Sequence, residues 1–416
     1  MPTIAGKRPG AVLLAAALFF RLPLLFQPVL TSDAAVAGLQ GLHMLRGEFS
    51  RLLWGRPYQS SLEAAIAAIF EAIFGPRHFA VTAGPVLEQL LLCWLMYRLL
   101  KRHLDPWAAA VCCLPLAIPT IPLIAPVIFG TRSLVLLAAM CGLELAESGR
   151  AALAAFLIVF SVHLDLYAVE FLPLLGLLYQ RPPRALGGAA VAAVLILALR
   201  AHDTTGILAS GPHFTFMQKL SLMLHTCLPA ALGGYWHHLD GTPIHTPTIA
   251  LAGPIVLLAA IASGAVLSPP RRLGLCGVAV SAASVAAFLG SSMPEDFWSS
   301  RYFVSLLWAA PLALAPLARR LGPGKLVAVL FPWLTCAVIS AVLALDMPRS
   351  LRPAPLDGLT PSERALRDSL RVRGVRASTA GYWTAYRLTY LFAERPILVP
   401  SAPSEDRYPP YRALLP

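Results

Sequence analysis

Charge is scarce in this chain of 416 residues: Asp, Glu, Lys and Arg make up 13% of it, while 57% is hydrophobic. Together with a mean hydropathy of +0.68, that shortage excludes a soluble globular domain and defines a polytopic membrane protein. A cysteine framework is missing too. Of seven cysteines, Cys93, Cys112, Cys113, Cys141, Cys276 and Cys336 lie in apolar segments and only Cys227 falls in a loop, which argues against disulfides and a cysteine metal site. There is no internal repeat, so the weak repeat symmetry of many transporters is lacking. Basic residues outnumber acids by 33 to 21, but they fall mostly between apolar spans, so membrane topology explains them and nucleic acid is not an expected partner.

What is present is a succession of apolar segments long enough to predict an all-α membrane protein of about eleven transmembrane helices. They cover residues 11–30, 81–100, 107–124, 133–145, 151–162, 171–179, 185–199, 249–267, 273–289, 303–317 and 326–345. The first follows Lys7 and Arg8 and runs past Arg21 without a cleavage site, so it reads as a retained span. Arg21, a charge inside it, is expected to snorkel. Lys7, Arg8, Arg98, Lys101, Arg102, Arg150, Arg181, Arg184, Arg271, Arg272, Arg319, Arg320 and Lys325 fall at one set of span ends, whereas the short loops at the other hold only Arg132 and Arg301. The positive-inside rule therefore puts the N-terminus in the cytoplasm and the C-terminus outside.

Three outer segments are long: 31–80, 200–248 and 346–416. The chain thus divides into a transmembrane domain, 1–345, and a soluble extracytoplasmic tail, 346–416, with eleven arginines and seven acids. The tail reads as a small α/β subdomain. Thr360-Pro361-Ser362-Glu363 is a capping box, Gly374 ends the helix it starts, and Tyr382, Tyr386 and Tyr390 recur at helical spacing before an apolar strand at 396–399. Residues 60–74 are too short to span and carry Glu63 and Glu71, which suits a helix lying along the interface. The loop 200–248 holds six of the ten histidines, His202, His213, His225, His237, His238 and His245, but at spacings that match no ligand pair one helical turn apart.

The residues that could carry chemistry collect on the outer side. Asp33 follows the first span directly. It is either a functional acid or the cap of a helix over 34–45. Arg56, Tyr58 and Glu63 form a polar nest in the same loop, with the donors and positive charge a phosphate head-group needs. Arg132 lies in the second outer loop, His163 and Asp165 join two spans, and Arg301-Tyr302 precedes the tenth span, where Glu295, Asp296 or a lipid phosphate would pair Arg301. In the tail, Trp383 and Arg387 are candidates to contact a sugar or its acceptor.

At Thr31-Ser32-Asp33-Ala34-Ala35, Arg56-Pro57-Tyr58, Ser61-Leu62-Glu63-Ala64, Arg301-Tyr302, the tail stretch from Gly381 to Thr389 and Asp406-Arg407-Tyr408-Pro409-Pro410-Tyr411, the chain resembles the GT-C class of integral membrane glycosyltransferases. The likeness is to bacterial members related to protein mannosyltransferases and the aminoarabinose transferase of lipid A. It implies a bacterial inner-membrane enzyme that transfers a sugar, with inversion, from a polyprenyl-phosphate donor to a glycan, lipid or protein acceptor. Asp33 would be the general base. Membrane lipids surround it, the lipid-linked sugar is a substrate, and no cofactor is implied. The chain departs from relatives in having Ala34 where a second acid is common, and no acid in 125–133, so a divalent metal lacks support. Two other classes remain open, a flippase or transporter of lipid-linked sugars and a non-catalytic scaffold that binds envelope glycan.

Overall fold

The computed structural model describes residues 8–26, 30–130, 132–178, 180–200, 214–267, 270–347 and 357–416. Lys7, Tyr179, His202 and His213 lie outside these ranges. After α1 (Arg8–Phe26), Thr31 starts α2 (Ser32–Leu45): its hydroxyl accepts from the Ala34 amide at 3.4 Å and donates to the Ile128 carbonyl at 2.6 Å. The cap is therefore Thr31 and not Asp33, which sits in the first turn with its carboxylate available to other partners. A short hairpin follows, β1 (Leu52–Leu53) paired antiparallel with β2 (Arg56–Ser60), then α3 (Leu62–Phe74) and α4 (His78–Leu100).

The next crossing is broken. Prolines divide it into α5 (Pro106–Cys112), α6 (Leu114–Ala117) and α7 (Ile121–Phe129), with a 50° bend. The last carbonyls of α6 lack intrahelical donors, and Arg21 supplies them. Its Nη2 donates to Leu116 O (2.7 Å), its Nη1 to Ala117 O (3.0 Å) and its Nε to Gln89 (2.9 Å), with the side chain fully buried. Arg21 thus caps a helix inside the bundle, against the expectation that it snorkels, because a broken helix offers closer acceptors than the membrane surface.

The bundle continues through α8 (Ser133–Glu147), α9 (Ala151–Leu164), a 3-10 helix (Leu166–Leu178), α10 (Pro182–Arg200), α11 (Phe216–Leu222), α12 (Leu228–Ala231), α13 (Ala252–Ser263) and α14 (Arg271–Gly290). A 3-10 helix (Phe297–Phe303) leads into α15 (Val304–Ala344), which is interrupted at Gly322, a left-handed residue before Pro323. Among the described residues five helices are long and apolar enough to cross a membrane, counting 297–344 once, or six with the bent pair as one. Trp308, Trp333, Tyr302 and Phe303 are fully buried around α15, and the Trp308 indole donates to Leu136 O at 3.0 Å. The bundle's two ends are distinct. α4 starts beside the tail, where Tyr390 donates to Arg77 O (3.1 Å), and runs to a far end where Arg102 pairs with Glu144 (2.7 Å).

In the tail, Thr360 and Glu363 form the reciprocal capping box of α16 (Pro361–Val372). β3 (Ala377–Ala380), α17 (Tyr382–Leu391) and β4 (Ile397–Pro400) make one β–α–β unit with parallel strands, followed by α18 (Pro409–Arg412). α17 packs on α2, and Tyr386, Leu388, Tyr390 and Phe392 share one hydrophobic cluster with Ala35, Val36 and Leu39. At Gly38 a Cβ would collide with the Tyr390 ring, so only glycine lets the helices come this close. At the other end of α2 a polar clasp holds the tail: His43 bridges Glu48 (2.6 Å) and Glu394 (2.8 Å), and Tyr408 stacks on Trp54 at 3.9 Å.

Candidate active site

The first turn of α2, the β1–β2 hairpin, the end of α7, the start of α8, the 3-10 helix 297–303 and the tail meet at one end of the bundle. A narrow pocket there is lined by Asp33, Arg56, Tyr58, Arg132, Arg301 and Tyr302, with Ala125, Pro126 and Phe129 from α7. Six residues singled out in the sequence thus converge. Phe129, Arg301 and Tyr302 are shared with a much larger cleft, whose walls include Trp298, Glu295, Asp240, Glu363, Trp383 and Arg387.

Asp33 is held from two sides. Its Oδ2 is ion-paired with Arg56 Nη2 and its Oδ1 accepts a hydrogen bond from the Tyr382 hydroxyl. Burial alone would push this carboxyl up, but the charges of Arg56 and Arg407 and the bond from Tyr382 outweigh it and hold the group below the usual carboxylate range. Arg56 also donates from Nη1 to Gln59 (3.0 Å), and Gln59 donates to Asp165 (2.6 Å). Asp165, buried, reaches Arg132 Nε at 3.4 Å as well. It lines neither the pocket nor the cleft, but it holds Arg132 directly and Arg56 through Gln59.

Arg132 is a non-glycine residue in the left-handed region (φ 78°), a conformation that costs about 1–3 kcal/mol. That backbone directs its guanidinium over the stacked rings of Tyr167 (4.1 Å) and Tyr302 (4.7 Å). Its buried Nη1 has no hydrogen-bond partner among the described residues. Arg301 lies over Phe129 (5.1 Å) and Tyr302 (4.9 Å) and donates to Trp298 O (3.4 Å) and the Tyr302 hydroxyl (3.1 Å). Of the partners the sequence offers Arg301, neither Glu295 nor Asp296 pairs with it, and it meets no carboxylate among the described residues. Asp296 instead caps the 3-10 helix through Ser299 (3.2 Å). Three guanidiniums against one carboxylate leave the pocket positive, suited to an anion.

Other candidates fall elsewhere. Glu63 accepts from the Leu134 amide (3.2 Å) and lines a smaller cavity behind Arg132, outside the Asp33 pocket. Burial first, and the Glu88 carboxyl second, push it well above the usual carboxylate range. His163 is buried with its ring 5.4 Å from Phe160, away from both cavities. Trp383 is 59% exposed on the cleft wall, and Arg387 is ion-paired with Glu363. Among the described residues no three His, Cys, Asp or Glu side chains converge as a metal site. Gln59, Tyr382 and Arg407 were not selected from the sequence. Tyr382 and Arg407 reach the pocket only because the tail docks.

No protein-family model and no curated protein matches the chain. Solved structures do. ArnT from Cupriavidus metallidurans, bound to undecaprenyl phosphate, aligns with a TM-score of 0.54 at 11% identity over 95% of this chain and 86% of its own. The oligosaccharyltransferase of Archaeoglobus fulgidus, tethered to an acceptor peptide, aligns with a TM-score of 0.52 at 13% identity over 96% of this chain. The chain spans 64% of that longer enzyme. Both neighbours are GT-C glycosyltransferases. The fold is thus the one the sequence resemblance implied, that of the GT-C integral membrane glycosyltransferases.

Proposed function

We propose that the chain is a membrane glycosyltransferase that moves a sugar from a polyprenyl-phosphate donor to a hydroxyl of an envelope acceptor on the outer side of the membrane. The observation that carries this reading is the single pocket in which Asp33 stands among Arg56, Arg132 and Arg301, opening beside a cleft large enough for a second substrate. The undecaprenyl phosphate bound to ArnT supports the choice of donor. The eleven-crossing topology belongs to the same reading, and the break at Gly322 that divides α15 and the position of the site at the end opposite Arg102 support it.

The lipid chain stays among the apolar helices while Arg132 and Arg301 receive the phosphate. The acceptor oxygen attacks the anomeric carbon as the bond to the phosphate oxygen breaks, with inversion, and the acceptor proton passes to Asp33. A carboxylate held below its ordinary range is a weak base toward a free hydroxyl. It serves here because the acceptor oxygen becomes acidic as it bonds to carbon, so the proton moves late. Matching the charge of the leaving phosphate supplies much of the acceleration. No metal or other cofactor takes part in this scheme.

Mass analysis of envelope glycans and lipids in a strain lacking the chain tests the reading. One component should lose the mass of one sugar and accumulate as unmodified acceptor, while an unchanged envelope would argue for a scaffold.

A further inference from the structure

The tail brings Tyr382 to the carboxylate, and the hydrogen-bond inventory fixes the direction of its proton. Arg407 Nε lies 3.3 Å from the Tyr382 oxygen, and its guanidinium is 5.4 Å from the ring centre. A guanidinium has donors and no acceptor. The tyrosine oxygen therefore accepts from Arg407, and its single hydrogen is directed to Asp33 Oδ1. Arg407 is itself fixed at both ends. Its Nη1 donates to the Gly55 carbonyl, and its backbone amide donates to the Tyr386 hydroxyl at 2.6 Å, one turn along α17 from Tyr382. Gly55 is left-handed (φ 64°), and a Cβ there would run into the Arg407 side chain, so the hairpin turn is shaped around this arginine. Ser32 closes the arrangement: its hydroxyl donates to Tyr382 O (2.6 Å) and accepts from the Arg387 amide (3.3 Å).

We infer that Tyr382 is a positioning residue for the Asp33 carboxylate, oriented by Arg407, so that the reaction pocket is incomplete without the C-terminal tail. With Arg56 on Oδ2 and Tyr382 on Oδ1, the carboxylate is held from both sides in the wall of the pocket. Its catalytic meaning rests on the glycosyltransferase reading; its geometry does not.

The test is an infrared pH titration of Asp33 in purified full-length protein, isolated by subtracting the spectrum of Asp33→Asn. Tyr382→Phe removes one hydroxyl and keeps the ring, and the Asp33 midpoint should rise by about one unit. Arg407→Gln should move it the same way. Turnover of a sugar on undecaprenyl phosphate by Tyr382→Phe should fall about 10- to 100-fold in kcat, with donor KM within about twofold, and the acid limb of kcat should rise with the midpoint. A midpoint unmoved in both variants overturns the positioning role whatever the activity. A midpoint that moves in a protein without transfer activity upholds the role and removes the glycosyltransferase reading instead.

Discussion

Arg301→Gln is the cleanest probe of the phosphate site, because Arg301 meets no carboxylate and its removal orphans no buried charge. By contrast, Arg132→Gln would strand buried Asp165 and cost about 3–5 kcal/mol of stability, confounding any binding measurement. What Arg301 contributes to the unliganded fold is small: two ring contacts and two hydrogen bonds, one of them long at 3.4 Å. To a bound phosphate it would contribute a charge-assisted hydrogen bond worth about 1.5–3 kcal/mol, or roughly 10- to 150-fold in Kd. Binding of undecaprenyl phosphate to detergent-purified protein should weaken by that factor and depend less on salt, while undecaprenol, which lacks the phosphate, should bind as before. Equal losses for both lipids, or affinity for undecaprenyl phosphate within twofold of the parent, would refute the assignment.

The clasp between α2 and the tail makes stability depend on pH. Burial would lower His43, but hydrogen bonds to Glu394 and Glu48 raise it above its ordinary 6.5, so its contribution is present below 6.5 and lost as pH climbs through the raised value. Burial would raise Glu394, but bonds from His43, Arg46 and Tyr411 hold it at about 2, so its contribution is present above its ordinary 4.5 and fades as pH falls toward 2. Thermal unfolding in detergent should show greatest stability between about 4.5 and 6.5, and His43→Gln should flatten the alkaline side; an unchanged alkaline slope would discount the clasp. Arg21→Met should remove donors from Leu116 O, Ala117 O and Gln89 and destabilise by about 3 kcal/mol or more. A snorkelling arginine would give a near-silent variant in the same melt.

The pocket was legible where chemistry and sequence neighbourhood coincide. Asp33, Arg56 and Tyr58 share one loop, and Arg132, Arg301 and Tyr302 stand out because charge and hydroxyls are rare beside apolar spans. Tyr382 and Arg407 could not be chosen that way. The bond from Tyr382 to Asp33 joins residues 349 apart, and the recurrence of Tyr382, Tyr386 and Tyr390 announces a helix without saying which tyrosine faces a partner. The one available signal was the clustering of Tyr and Arg in the two tail motifs. Thr31, Ser32 and Asp33 are all good caps, so sequence could not choose among them; the hydroxyl of Thr31 decides it. Arg21 was misread because its acceptors arise only where α6 ends, a break whose depth in the bundle no local pattern records. Glu63 lies outside the Asp33 pocket because its carboxyl accepts from the amide at the start of α8, a contact that no local pattern records.

Whether Asp33 takes the acceptor's proton is decided by sugar transfer with purified Asp33→Asn protein. Asparagine keeps the size of the side chain and the helix cap is Thr31, so α2 should start as before. Buried Arg56 loses its carboxylate, at a cost of about 3–5 kcal/mol, so transfer is read on protein that a thermal melt shows to be folded. Loss of a general base costs about 10²–10⁴-fold in rate. Donor binding should not weaken, because Arg56 is released from its carboxylate and can join Arg132 and Arg301 on the phosphate. Turnover should fall by at least about 10²-fold with donor Kd equal to or tighter than the parent's; transfer within a few-fold of the parent would remove Asp33 as the base.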